Sequence, residues 1–264
     1  MQPVTQTANF TLVTSRDNPQ LKELRRLSQD TTAYRKQGRV WLEGDHLARA
    51  ALQRGLRPAL GVYAESFWGR EGAQWAAHAQ RNLVLPDALF KDLSGLESPA
   101  PMAFVIDLPA ASPIDGVVAS VVLDRVQDAG NVGSILRSAA AFGFKQVLAL
   151  KGTAALWSPK VLRAGMGAHF ALQLIEGLSP EQVQELEVPL IVTSSHQGAL
   201  IQHQSLPWPC AWALGHEGQG VSAALMERAS LAVRIGQPGG EESLNVAAAA
   251  AICLHASAVY ASKD

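Results

Sequence analysis

VVASVVLDRVQDAGNVGSILRSAAAFGF, residues 117–144, carries in one run the strand, loop and helix from which the fold can be inferred. An apolar, β-branched run (117–123) passes through Asp, Asn and two glycines into a helical segment near 132–142, which is how a strand, a loop and a crossover helix read in sequence. Arg137 follows Ile135-Leu136 and precedes Ser138-Ala139-Ala140-Ala141, where a small apolar residue packs more easily. A buried arginine without a partner costs several kcal/mol, so Arg137 asks for a functional reason.

Toward the C-terminus the pattern repeats. Strand candidates at 146–150, 169–175, 189–195, 210–215 and 231–235 alternate with helical segments near 180–186, 221–229 and 243–260. That alternation predicts an α/β fold, a mostly parallel sheet covered by helices. Toward the N-terminus, SGLESPAP (94–101) and LPAASPIDG (108–116) bracket a short apolar run, 102–106, and the second has the composition of a linker. Before it, 18–29 and 44–55 read as helices, with Leu21, Leu24 and Leu27 at helical spacing, and 40–42 and 60–64 as short strands. The expected organisation is a tail (1–13), a small α/β domain (14–108), a linker (109–115) and a second α/β domain (116–264). An alanine run at 247–251 is the one biased tract.

The chain has 264 residues, 48% of them hydrophobic and 17% charged, a globular composition. A net charge of −1 argues against a uniformly basic nucleic-acid coat. Its distribution is uneven: residues 1–57 hold ten Lys+Arg against five Asp+Glu, leaving 12 against 18 for the rest. Such asymmetry points to an anionic partner on the N-terminal part, although a solvated helix surface accounts for it equally well. Cys210 and Cys253 lie far apart among apolar neighbours, so neither a disulfide framework nor a cysteine-based metal site is expected, and a reducing, cytoplasmic compartment fits. The N-terminus lacks the basic n-region and apolar core of a secretory signal. The least charged run, 243–262, is mostly alanine and reads as a buried helix rather than a membrane span.

In open parallel sheets ligands collect beyond the carboxyl ends of the strands, here the loops after Leu123, Ile191, Ala213 and Ile235. Three of these regions are polar and Gly-rich: DRVQDAGNVGSILR, GHEGQGVS (215–222) and GQPGGEESLNV (236–246). Turn geometry alone accounts for any one of them; three on the same expected face of a sheet point to a site. No G-x-x-x-x-G-K-[ST] loop is present, no G-x-G-x-x-G follows the first strand, and His216-Glu217 does not continue into H-E-x-x-H. ATP hydrolysis, dinucleotide redox chemistry and zinc hydrolysis therefore lose ground, and no metal is expected.

LDRVQDAGNVGSILRSAAAFGF, LGHEGQG and IGQPGGEESLNVAAAAAICLH together resemble the three ordered motifs of the SpoU-type RNA 2′-O-ribose methyltransferases, members of the knotted SPOUT class. The likeness covers roughly 116–264. SRDNPQLKELRRL…YRKQGRVWLEGDHLARAAL also resembles the substrate-binding domain, similar to ribosomal protein L30e, that precedes the catalytic domain in ribosomal-RNA members. The chain departs from the family where Ala129 replaces a usual Pro and where Gly236-Gln237 replaces Pro-Met.

The resemblance implies a C-terminal trefoil knot, a homodimer whose interface uses the last helix, and S-adenosylmethionine held bent by knot backbone. By motif, Gly215 borders the adenosine, Ile235 bonds adenine through its backbone, Leu244 packs on the ring, and Thr193 and Ser194 lie beside the methionine; Leu214 and Gly218 belong to the same cofactor set. Arg137 is the position credited with activating the ribose hydroxyl. A guanidinium stays protonated, so a contact to phosphate or developing alkoxide is the role expected of it. Asn131 and Asn245 are expected to fix the loop and the ribose, Glu217 to orient Arg137 or a neighbouring amide, and Ser243 to combine a catalytic place with a helix cap. Asn131 could equally cap its own helix, and Glu217 could be a solvated loop charge. Arg16, Lys22, Arg25, Arg26, Arg35, Lys36 and Arg39 suit phosphate contact by the first domain, with Lys160 and Arg163 forming a second basic edge. The expectation is a cytoplasmic RNA 2′-O-methyltransferase acting on ribosomal RNA. A transfer-RNA enzyme, a non-catalytic RNA-binding or assembly factor and a nucleotide-dependent oxidoreductase are the competing readings.

Overall fold

The computed structural model describes residues 9–194, 198–239 and 244–261. The chain divides into two compact units, Met1–Pro109 with Trp157–Leu162, and Ala110–Leu156 with Arg163–Asp264.

In the first unit a five-stranded mixed sheet runs in the order β1-β4-β3-β5-β2. In chain order its elements are β1 (Thr11–Leu12), α1 (Pro19–Gln29), α2 (Ala33–Gln37), β2 (Arg39–Glu43), α3 (Asp45–Gln53), β3 (Leu60–Ala64), the short helices α4 (Glu65–Phe67) and α5 (Ala73–Ala76), β4 (Asn82–Leu85), α6 (Asp87–Leu93) and β5 (Met102–Asp107). Helix α1 starts where Asn18 Oδ1 accepts from Gln20 N at 2.8 Å with proline as the first helical residue, and it buries Leu21, Leu24 and Leu27. The apolar run 102–106 lies in β5, antiparallel to both β2 and β3.

The second unit is a seven-stranded, all-parallel sheet in the order β10-β12-β9-β11-β6-β7-β8. Its elements are β6 (Ser120–Asp124), α7 (Ala129–Ala141), β7 (Gln146–Leu150), the last three residues of α8 (Pro159–Gly165), whose first four fall in the first unit, β8 (Gln173–Leu178), β9 (Leu190–Thr193), β10 (Ala199–Leu200), β11 (Ala211–Gly215), α9 (Ala223–Met226), β12 (Leu231–Arg234) and α10 (Val246–Ala261). Burial on both faces explains the uninterrupted apolar runs: β6, β7 and β11 are buried throughout.

Several elements differ from the sequence reading. The run 169–175 is not one strand: Ala168–Ala171 is a 3-10 turn entered through left-handed Gly167 (φ 88°), and β8 begins only at Gln173. Short apolar runs carry no periodicity that separates the two. The segment 180–186 is likewise 3-10, Pro180–Glu185, and α8 was not foreseen. Helix α10 begins at Val246, after Asn245.

The order β9-β11-β6-β7 carries the functional consequence. The chain leaves β6 toward β7 on one side, while β11 enters on the other, so a switch point lies between β6 and β11. Register sets Gly215 opposite Asp124 at the carboxyl ends, with Thr193 on β9, the strand flanking β11 on its other side. A crevice at this edge is what the topology leaves uncovered.

Candidate functional site

A pocket of about 700 Å³ lies at those carboxyl ends. Thr193 and Ser194 line it from β9, Gly215 to Val221 from the turn after β11, Ile235 and Gln237 from the chain after β12, and Leu244 to Val246 and Ala249 from the start of α10. Apolar side chains with a few polar groups are the usual lining of a purine-sized site.

The turn after β11 is tight. His216 N donates to Gly220 O at 3.1 Å, Gly220 N returns to His216 O at 2.8 Å, and Gly218 N donates to His216 Nδ1 at 2.9 Å. Gly215 admits no side chain, because a Cβ there would stand 2.1 Å from the Gly220 carbonyl carbon. The turn doubles back onto the strand end, and only glycine permits the approach.

Three loops are joined by one chain of side chains. Glu217 Oε1 accepts from Asp128 N and from Asn131 Nδ2, both at 3.1 Å, and Oε2 accepts from Gln127 N at 3.2 Å. Asn245 Nδ2 donates to Asn131 Oδ1 at 2.9 Å. Asn245 Oδ1 in turn caps α10, accepting from Ala247 N at 2.9 Å and Ala248 N at 3.3 Å. The DAGN segment, the GHEGQG turn and residues 244–245, far apart in sequence, are thus held by Glu217, Asn131 and Asn245. Burial tends to raise the Glu217 carboxyl, but the bonds from Asn131, Asp128 and Gln127 outweigh it and hold the group below the usual carboxylate range.

Asn131 does not cap its helix. Asp128 does, its side chain accepting from Asn131 N at 2.8 Å, which leaves the Asn131 amide for Glu217 and Asn245. Glu217 contacts the neighbouring amides and not Arg137. Of the other expected cofactor residues, Thr193, Ser194, Gly215, Gly218, Ile235 and Leu244 line the pocket, whereas Leu214 is fully buried beneath it. Ser243 lies outside the described residues.

Arg137 is not buried. It sits on the exposed side of α7, away from the stripe Val132, Ile135, Leu136 and Ala139, and does not line the pocket. Its charge needs no compensating partner in this position. A stripe of α10 is also exposed, running through Ala248, Ile252, His255 and Val259 at helical spacing, with Ile252 42% and Val259 41% accessible. The opposite side of α10 is core, where Trp212 Nε1 donates to Ser257 Oγ at 2.9 Å.

The basic residues of the first unit are on its surface, some of them paired. Arg16 bridges to Asp92, Lys22 to Asp17 at 3.4 Å and Arg39 to Asp107 at 3.7 Å, while the Arg35 guanidinium lies over Tyr34. Lys22, Arg25 and Arg26 line a groove along α1 with Gln29 and Asp30. Lys36 and Lys160 are exposed and Arg163 half-buried. Among the described residues no cluster of His, Cys, Asp or Glu has the makings of a metal site, and no helix is long and apolar enough to cross a membrane. Sequence reasoning missed Asp124 and Arg125, which hold the far side of the 216–222 turn; an aspartate ending an apolar strand was the available signal.

The chain is similar to known RNA methyltransferases along nearly its whole length. It is 32% identical over 259 residues to an uncharacterized tRNA/rRNA methyltransferase of Synechocystis sp., with 94% of each chain covered. It is 33% identical over 220 residues to the 23S rRNA (guanosine(2553)-2'-O)-methyltransferase of Bacillus subtilis, covering 81% of this chain and 86% of that one. Among solved structures, an RNA 2'-O ribose methyltransferase superposes with a TM-score of 0.77 at 30% identity, covering 96% of this chain and 100% of that chain. An AdoMet-bound rRNA methyltransferase from Sinorhizobium meliloti reaches 0.83 at 25% identity over 95% and 98%. The sequence model of the SpoU rRNA Methylase family matches residues 119–255, the stretch that carries the pocket and all three of its loops. The chain belongs to the SpoU rRNA methylase family.

Proposed function

We propose that this protein transfers a methyl group from S-adenosylmethionine to a ribose 2′-hydroxyl of ribosomal RNA, acting in the cytoplasm as a homodimer. The observation that carries the reading is the Glu217–Asn131–Asn245 chain, which joins three separate loops at the edge of one pocket. The donor set fits the cofactor: apolar Ile235, Leu244 and Val246 offer walls, and Gln237 Oε1 is a solvent-shielded acceptor with no donor among the described residues. Bound there, the cofactor supplies a methyl group on a sulfonium, already a good leaving centre. Thr193, Ser194 and the backbone of 215–220 would hold it.

The protein's remaining task is to orient the attacking hydroxyl and help its proton leave. Asn245, on the pocket lining, and Asn131, bonded to it, would orient the ribose, their amides already fixed by Glu217 and the α10 amides. Arg137 supplies positive charge toward a phosphate or the developing alkoxide. Since Arg137 and the apolar stripe of α10 face outward, a second copy docking on these helices would bring Arg137 to its partner's site. The first unit, taken as L30e-like, would hold RNA phosphates through the α1 groove. A trefoil knot in the second unit would make the pocket loops mutually rigid.

Incubation of the protein with methyl-labelled cofactor and ribosomal RNA should leave label on a ribose resistant to alkaline cleavage. Arg137→Ala should reduce that transfer at least about a hundredfold, as loss of a preorganised charge-stabilising donor does. A wild-type protein that binds no cofactor in calorimetry would remove the reading; label confined to transfer RNA would move its substrate.

A further inference from the structure

The carboxyl end of β6 carries two residues that the pocket chain does not use. Asp124 is 1% exposed; its Oδ1 accepts from Arg125 Nε at 3.0 Å and its Oδ2 from Ser222 N at 2.6 Å. Arg125 Nη1 donates in turn to Gln219 Oε1 at 3.0 Å. The turn that follows β11 is therefore gripped twice, behind the pocket at Ser222 and on its lining at Gln219.

Arg125 reaches both partners from a left-handed backbone, φ 61°, a conformation that residues with side chains seldom adopt. Its surroundings are built for this. Arg125 N donates to Thr153 Oγ1 at 3.2 Å, Thr153 Oγ1 donates to Leu123 O at 2.9 Å, and Gly152 leaves room where a Cβ would stand 3.3 Å from Arg125 Cγ.

The two grips differ in their access to water. Asp124 is enclosed, so its bond to Ser222 meets little competition; the Arg125 side chain is 35% exposed and Gln219 lies at the surface. A shielded bond stays closed while a solvent-facing one opens readily. We infer that Arg125 is a positioning residue: Asp124 with Ser222 forms a hinge, and Arg125 with Gln219 a latch that closes the 216–220 turn over the cofactor. The inference rests on the cofactor reading above. It goes beyond it in naming what retains the cofactor once bound.

Four variants test it, among them Arg125→Gly, which keeps the left-handed backbone and removes both bonds; Gln219→Ala, which removes the latch alone; and the pair together. Deuterium exchange at the Gln219 and Gly220 amides is read in the ligand-free protein, and dissociation of S-adenosylhomocysteine by stopped flow. Each single variant should speed exchange and raise the dissociation rate roughly tenfold, the effect of one lost bond to a charged donor. Cofactor KM should rise more than kcat falls, and the double variant should be no faster than Arg125→Gly. Gln219→Glu, which gives Arg125 a charged acceptor, should slow both processes. Unchanged exchange and dissociation in Gln219→Ala, with wild type binding normally, overturn the latch; so do single effects that multiply in the double variant. Failure of the wild type to bind S-adenosylhomocysteine instead overturns the cofactor reading and takes the latch with it.

Discussion

Glu217 lies on the surface, yet its two carboxylate oxygens accept three hydrogen bonds from a loop some ninety residues away. A carboxylate suits this position because all three partners are donors and it accepts without donating. Glu217→Gln would turn one oxygen into an amide that faces an N–H, losing a bond and adding a donor clash. Cofactor affinity should fall about tenfold by calorimetry; unchanged affinity in a folded variant would mean that this carboxylate does not order the pocket. The sign with pH follows from its lowered pKa. The bridge is complete above the ordinary carboxylate range and is lost only as pH falls through the lower folded value. Arg137 makes the opposite point at the same scale. Its neighbours in sequence are apolar, but the stripe Val132, Ile135, Leu136 and Ala139 leaves position 137 off the buried face. Counting by 3.6 rather than by immediate neighbours places it in solvent.

Helix α7 carries the loop with Asp128 and Asn131, and its position depends on Gly133. A Cβ there would stand 2.3 Å from the Ala164 Cβ and 2.7 Å from Gly165 N. Because one of the obstacles is backbone, the helix itself would have to move. Gly133→Ala should cost about 1–3 kcal/mol, as overpacking does, read as a lower urea midpoint, and a neutral or stabilising result would show that α7 yields freely. The same element shows what sequence patterns omit. The loop, the helix and the apolar face were legible from residues 117–144, but the cap was not: Asp128, Asn131 and Ser134 all have side chains that suit the N-terminus of a helix. Only the bond from Asn131 N to Asp128 identifies the cap. At α10 the same competition goes to Asn245, whose amide has a second partner in Asn131.

At the scale of the whole molecule, one response to acid comes from a residue outside the site. His169 is fully enclosed in the second unit, its Nε2 donating to Leu156 O at 2.8 Å, and burial lowers its pKa to about 4 despite that bond. The unfolded chain protonates near 6.5, so stability is fullest above that pH and declines as pH falls toward 4, by up to about 3 kcal/mol. Unfolding titrations should show this slope, and His169→Gln, which keeps a donor but does not titrate, should flatten it by one proton. An unaltered slope would assign the acid sensitivity elsewhere.

Residue order along the chain was enough to show the alternation of strands and helices, the common buried face of α1's three leucines and the three loops at one edge. It could do so because burial imposes periodicity and glycine and asparagine mark turns, both local properties. The long-range contacts were not legible there: that Glu217, Asn131 and Asn245 form one chain, that Asp124 holds the turn at Ser222 and that Arg125 holds it at Gln219. Those contacts join residues roughly 85 to 115 positions apart. They exist because strand order places β11 beside β6, and no local pattern encodes which strand becomes whose neighbour.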